Sequence, residues 1–318
     1  MIYRKLGRTN LEVSEIGIGT WGMGGNLWLD SDDKESTRSL QTAIELGVNF
    51  IDTALAYGNG HSEELIGRVL RERKEKIYIA TKIPPHNRKW PAQKEDRFRE
   101  AFPRDHIIAS TESSLRNLKV DCIDLQQFHV WNDEWANERE WQDTLMELKS
   151  QGKIRFAGIS MNSHEPENGI KAAGTGLIDV FQVFYNIFDQ SPEKVLFGFC
   201  RRNEIGIIAR VPFDEGSLTG NLRMDTEFPE GDYRNGYFAK EKRKRLIDLV
   251  ERLREYLGVE AATLPELALR YVLNESVVST VIPGMRKVSH VESDCSVADG
   301  RKLSSKLIDE LKQFHYYG

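Results

Sequence analysis

Apolar positions along the chain alternate between short continuous runs and stretches spaced three and four residues apart, the signature of strands followed by amphipathic helices. The opening segment reads as a hairpin, IYRKL and LEVS joined by a GRTN turn, followed by a short run at 16–19. Asp32, with Glu35 three residues on, marks a capped helix carrying Leu40, Ala43 and Ile44, and 49–52 is the next strand. Ser62 precedes a helix with Leu65, Ile66 and Val69, and 77–82 is a strand. A polar excursion at 84–104 leads to a helix through Ile108, Leu115 and Leu118, then a strand at 122–128. Trp141, Leu145 and Leu148 define another helix, closed by Gly152, before a strand at 154–159. A strand at 180–184 precedes a helix announced by Ser191 as N-cap and Pro192 at its first position, and 205–209 is the seventh strand.

A Gly-, Asp- and Pro-rich loop at 212–238 and an inserted helix with Leu246, Leu249, Val250, Leu253 and Leu257 interrupt the last unit. Thr263 with Glu266 caps the next helix, 277–282 is the eighth strand and 289–297 its helix. Eight βα units without a Pro/Ser-rich linker predict one (β/α)8 TIM barrel over residues 1–318. An N-terminal β-hairpin and additional helices are added to it. The alternative of two doubly wound sheets would leave edge strands exposed.

Composition narrows the class. The 44 Lys and Arg against 49 Asp and Glu give a formal charge of −5, which offers no bulk attraction to nucleic acid or anionic lipid. Hydrophobic residues at 40% and charged residues at 29% match folded soluble domains. Three scattered cysteines, without a CxxC pair, suggest neither a disulfide framework nor a thiolate metal site. With no apolar region after the basic N-terminal residues, a cytoplasmic enzyme is expected, without a metal, membrane or nucleic-acid partner. The AKEKRKR run at 239–245 reads as the solvated face of the inserted helix rather than a binding patch.

Gly17, Gly19 and Gly22 spell G-x-G-x-x-G, but the loop sequence that follows lacks helical period, so a flexible turn is the better reading than a dinucleotide fingerprint. Chemistry in a (β/α)8 barrel sits at the C-terminal ends of strands, and four polar residues fall there: Asp52, Tyr57, Lys82 and His129. Singly, each has an ordinary role as turn cap, half-buried aromatic, snorkelling lysine or hydrogen-bonded core imidazole. Together, on adjoining strands, they suit proton delivery. An ammonium beside a phenol is expected to lower its pKa from near 10, a carboxylate to fix the ammonium, and an imidazole to orient a carbonyl oxygen.

These segments resemble the aldo-keto reductase family over nearly the whole chain. GIGTWGMGG resembles its first loop, FIDTALAYGNGHSEELIG its Asp and Tyr signature, YIATK its lysine strand, LQQFHVW its histidine strand and VIPG the start of its eighth-strand cofactor segment. The resemblance implies that Asp52, Tyr57, Lys82 and His129 form a catalytic tetrad, with Tyr57 as general acid and a bound nicotinamide as hydride donor. Aldehyde or ketone carbonyls would be the substrates. It places Gly19, Thr20, Trp21 and Asp52 around the nicotinamide, with Ser160 and Gln182 on its carboxamide. The family's usual Asn after that serine is Met161 here, followed by Asn162.

Arg210 stands where the family usually has an aromatic platform. It reads equally as a planar stacking group or as a structural ion-pair partner. Pro212, Gly216, Ser217, Leu218 and Gly220 match the loop over the pyrophosphate, with backbone N–H groups expected near the phosphates. Gly284, Arg286, His290 and Asp294 match the adenosine end, where Arg286 suits a 2′-phosphate and so NADPH. Trp21, Trp90 and Trp131 either wall an apolar pocket or pack loops, and the 84–104 excursion is expected to shape substrate access. Two other readings are a cofactor-sensing regulatory subunit with little turnover and a Schiff-base aldolase using Lys82, the latter opposed by the matched tyrosine and histidine segments.

Overall fold

The computed structural model describes residues 1–317. Its hairpin pairs β1 (Tyr3–Lys5) with β2 (Glu12–Ser14) antiparallel, as the turn between them predicts. Eight parallel strands follow: β3 (Ile18–Gly19), β4 (Phe50–Asp52), β5 (Tyr78–Ile83), β6 (Ile123–Phe128), β7 (Ile154–Ser160), β8 (Val180–Phe184), β9 (Gly206–Arg210) and β10 (Val278–Ile282). They hydrogen-bond in chain order from β3 to β10. The sheet closes where Gly17 N–H reaches Val281 O at 2.8 Å and Gly19 N–H reaches Pro283 O at 2.9 Å. The predicted (β/α)8 barrel is therefore present, and closure leaves no edge among its strands.

Two apolar zones hold it. Inside the cylinder, Phe50, Leu125, Val180, Ile208 and Ile282 meet Leu6, Leu11 and Val13, so the hairpin plugs the N-terminal end. Arg4 fastens that plug, pairing with Glu15 and donating to the carbonyls of Leu273 and Val278, both at 2.9 Å. Outside the cylinder, the strands' other faces pack against the surrounding helices, where Phe128 and Trp131 meet Trp141 edge-to-face, Trp131 meets Trp135 likewise and Phe128 lies tilted against Trp131. Trp131 belongs to this core and does not line a pocket.

Helix starts follow local chemistry where nothing competes. Asp32 accepts from Glu35 N–H and Thr263 from Glu266 N–H, as their spacing predicts. Two expected caps are displaced. The helix His61–Leu70 begins before Ser62, whose hydroxyl turns inward to Thr20 Oγ1 at 2.8 Å; Gly60, at φ 94°, occupies the N-cap. Ser191 instead opens a 3-10 turn and donates to Asp189, while the helix itself, Leu196–Asn203, starts beyond Val195. In both places a buried polar partner captures the hydroxyl that would have capped the helix.

The 84–104 excursion is tethered by side chains. Asn132 donates to Gln93 O and Lys94 O, Trp135 Nε1 to Asp96 O and Asn162 to Ala92 O. It also contains the short helix Phe98–Ala101, so it is ordered structure over the barrel mouth. The 212–238 loop likewise holds a 3-10 segment, Asp214–Thr219, and a short helix, Tyr233–Tyr237. A helix at Ser305–Leu311, not predicted from the sequence pattern, and a 3-10 turn at Lys312–Phe314 follow near the end of the described chain.

Candidate active site

Parallel pairing puts consecutive strand tips side by side. Register aligns Gly19 with Asp52, Lys82 with Gln127, Ser160 with Gln182 and Phe184 with Arg210, all toward the C-terminal end. Lys82 is completely buried. Its Nζ donates to Asp52 Oδ1 at 2.5 Å, Thr53 O at 2.8 Å and the Tyr57 hydroxyl oxygen at 3.3 Å. An ammonium has three protons, and these three acceptors take them all. Lys82 therefore has no free proton or lone pair to offer a substrate, which removes the basis for a Schiff-base role. Because Tyr57 accepts from Lys82, its own O–H is left to donate toward the cavity it lines.

Asp52 is fixed from its other oxygen, which accepts from Gln182 Nε2 at 2.7 Å and Gln127 Nε2 at 3.3 Å. Gln127 was not singled out from the sequence; its inward position on β6 was the available signal. The His129 ring lies edge-on to Tyr57, with centroids 5.7 Å apart, and to Trp90 at 4.4 Å. Burial, with Lys82 and Arg210 adding to it, pushes the imidazole pKa well below its ordinary value, so the ring is neutral at physiological pH. Its Nδ1 is buried without a protein partner.

One expectation is reversed. Tyr57 has a raised, not lowered, pKa: burial disfavours the phenolate more strongly than the Lys82 charge favours it, and Asp52 adds to the rise. The ammonium moderates that rise but does not overcome it.

From this centre a cavity of about 330 Å³ runs outward, lined by Gly19, Thr20, Trp21, Asp52, Tyr57 and Gln182 at one end. Arg210, Pro212, Glu215 and Gly216 line its middle, and Gly284, Arg286, His290, Ser293 and Asp294 the far end. A Cβ at Gly216 or Gly284 would meet nothing within 4 Å, so both glycines leave the groove open where a ligand could pass. Glycine walls and the Arg286 guanidinium at the far end fit a dinucleotide.

Other expected contacts sit differently. Ser160 Oγ donates to Gln182 Oε1 at 3.5 Å, so both ends of the Gln182 amide engage protein groups. Ser217 and Leu218 are buried, and Gly220, at φ 75°, packs against Leu264 and Arg254. The amides of Gly216 and Leu218 donate to Phe213 O and that of Gly220 to Ser217 O. These three N–H groups bond within the loop. The loop is strained, with positive φ at Val211, Asp214 and Glu215. Asp214 anchors it by accepting from Ser217, Tyr237 and Tyr317 at 2.6, 2.6 and 3.0 Å.

Arg286 crosses the groove wall, donating to Leu29 O at 3.2 Å and packing over Trp28. Trp28, Tyr233 and Glu215 were missed in the sequence because tertiary folding, not local pattern, brings them to the site. Trp21 contacts Trp28 and Tyr233 edge-on, and the ring of Trp90, 47% exposed, faces His129.

The family model described as Aldo/keto reductase family matches residues 15–315. The chain belongs to that family. It is 31% identical over 298 residues to aldo-keto reductase YhdN of Bacillus subtilis, covering 92% of this chain and 87% of that protein. It is 30% identical to the NADH-specific methylglyoxal reductase of Escherichia coli, covering 88% of each. The solved glycerol dehydrogenase AKR11B4 of Gluconobacter oxydans superposes with a TM-score of 0.81 at 28% identity, over 98% of this chain and 94% of that one. These relatives make the protein an oxidoreductase of a family that binds nicotinamide cofactors and acts on small carbonyl compounds.

Two buried carboxyls give the groove a pH signature. Burial raises Glu215 from 4.5 to about 8, with Asp214 adding to the rise, and raises Asp294 from 3.8 to about 8. Between the ordinary carboxylate range and about 8 the folded chain keeps protons that the unfolded chain releases, so stability falls as pH rises through that window. Thermal unfolding is expected to show Tm dropping from pH 5.5 to pH 8.5. The drop should be distinctly smaller in the Glu215→Gln/Asp294→Asn double variant; equal drops would refute the burial argument.

Proposed function

We propose that the chain, as one domain over residues 1–318, reduces aldehyde or ketone carbonyls to alcohols with NADPH as the cofactor. The observation that supports this best is the saturation of Lys82 by Asp52, Thr53 and Tyr57, which leaves the Tyr57 O–H as the donor facing the groove. Gly19, Asp52 and Gln182 would hold a reduced nicotinamide, which would supply hydride-transfer chemistry when bound. Tyr57 gives its proton to the carbonyl oxygen as negative charge develops there, and Lys82 stabilises the phenolate left behind. Neutral His129 positions and polarises the same oxygen with a ring N–H. Asp52 keeps Lys82 aimed. His129 and Trp90 together with Trp21 form an apolar mouth that admits a small carbonyl compound and limits water.

NADPH over NADH is inferred from Arg286, whose guanidinium lines the far end of the groove beside His290 and suits paired hydrogen bonds to a 2′-phosphate. The described chain has no helix long and apolar enough to cross a membrane, and Cys122, Cys200 and Cys295 are free, in keeping with a cytoplasmic setting. A small carbonyl compound is the only partner the proposal requires.

Replacing Tyr57 with Phe is expected to cut reduction of a small-aldehyde panel by about 10²–10⁴-fold while cofactor affinity stays within a few-fold. Near-normal turnover would remove Tyr57 from the acid role, and tight cofactor binding with negligible wild-type turnover would favour a cofactor-sensing subunit. Arg286→Ala is expected to weaken NADPH binding by about tenfold or more and leave NADH nearly unchanged; an unaltered preference would discard the phosphate assignment.

A further inference from the structure

We propose that Arg210 makes the groove discriminate between the two redox states of the cofactor, holding the reduced form more tightly than the oxidised one. The inference rests on the nicotinamide reading of the groove and goes beyond it. Arg210 ends β9 and lines the same cavity as Asp52, Tyr57 and Gln182. Its guanidinium lies 4.2 Å above the Phe184 ring, and Nη2 donates to Met161 O at 2.9 Å. Both contacts are with uncharged groups. Its Nε is buried with no partner, and no carboxylate of the described residues lies within 4 Å of it.

The nearby acids do not neutralise it. Asp52 is already paired with Lys82. Glu215, which lines the same groove, is raised by burial to about 8 and is largely protonated at neutral pH. Tyr57, Tyr233 and His129 also lie nearby: burial raises both phenol pKa values and lowers that of the imidazole, so all three are neutral. Arg210 thus presents a fixed positive charge that the protein leaves uncompensated. This differs from an ordinary structural ion pair, in which a carboxylate would share the guanidinium.

A reduced nicotinamide ring is uncharged, and loss of hydride, two electrons and a proton, leaves it with one positive charge. The chemistry elsewhere on the dinucleotide is the same in both forms. A fixed cation close to the ring therefore acts on the difference between them and lowers affinity for the oxidised form alone. At half-buried contact distances one such charge is worth about ten- to hundredfold in binding. The same bias would hasten departure of the oxidised cofactor after a carbonyl is reduced.

The test is equilibrium binding of NADPH and NADP⁺, and of NADH and NAD⁺, followed by quenching of the fluorescence of Trp21 and Trp28, which line the groove. Wild type is expected to bind the reduced form more tightly. In Arg210→Met the ratio of affinities should fall by about tenfold or more, chiefly through tighter binding of the oxidised form. Arg210→Lys, which keeps the charge, should retain most of the preference, and Arg210→Gln, which keeps a donor for Met161 O, should behave like Arg210→Met. An unchanged ratio in both neutral variants overturns the inference and leaves the nicotinamide groove intact. Failure of wild type to bind any of the four dinucleotides overturns the groove assignment itself.

Discussion

The site depends on one buried ammonium. Removing Lys82 and Asp52 from water carries a desolvation cost that their mutual attraction offsets only because the remaining hydrogen-bonding capacity is filled. Asp52 receives Gln182 and Gln127 on its second oxygen; Lys82 gives its other protons to Thr53 O and Tyr57. Six residues on β4, β5, β6 and β8 or the loop after β4 are thus held in one network. No member can turn without leaving a buried charge or amide unsatisfied, which explains how a flexible lysine is made into a fixed point of reference. The phenol inherits its direction from that point.

Rigidity at the strand tips contrasts with the loop that borders the groove. Positive φ at Val211, Asp214 and Glu215 is unfavourable for side chains with a Cβ, most of all for β-branched Val211. The conformation persists because Asp214 is held by three hydroxyls from its own loop, the 233–237 helix and Tyr317. Held in this way, the loop buries Glu215 near Arg210, and burial keeps that carboxyl largely protonated. An unpaired guanidinium in the groove and a strained loop beside it are two aspects of the same packing arrangement.

Much of this was readable from the residues alone. Period and turn chemistry located all eight barrel strands to within about two residues, because parallel strands buried on both faces form apolar runs. Asp52, Lys82 and His129 stood out since each terminates such a run, and Tyr57 since it follows so closely. What could not be read depended on tertiary neighbours. Ser62 and Ser191 look like helix caps until Thr20 and Asp189 claim their hydroxyls. The sequence marks the loop glycines but not the acceptors within the loop that their amides bond to. The direction of the Tyr57 shift depends on how completely the phenol is buried, and no local pattern carries that quantity. Gln127 and Glu215 were silent for the same reason.

The central claim is that Lys82 acts on the reaction only through the Tyr57 hydroxyl. A double-mutant cycle on kcat/KM for carbonyl reduction, using Tyr57→Phe, Lys82→Met and both together, isolates that dependence. The account predicts that each single variant is strongly impaired and that the double variant is no worse than Tyr57→Phe. Losses that multiply in the double variant would mean that the two groups act independently, and the linked arrangement described here would be wrong.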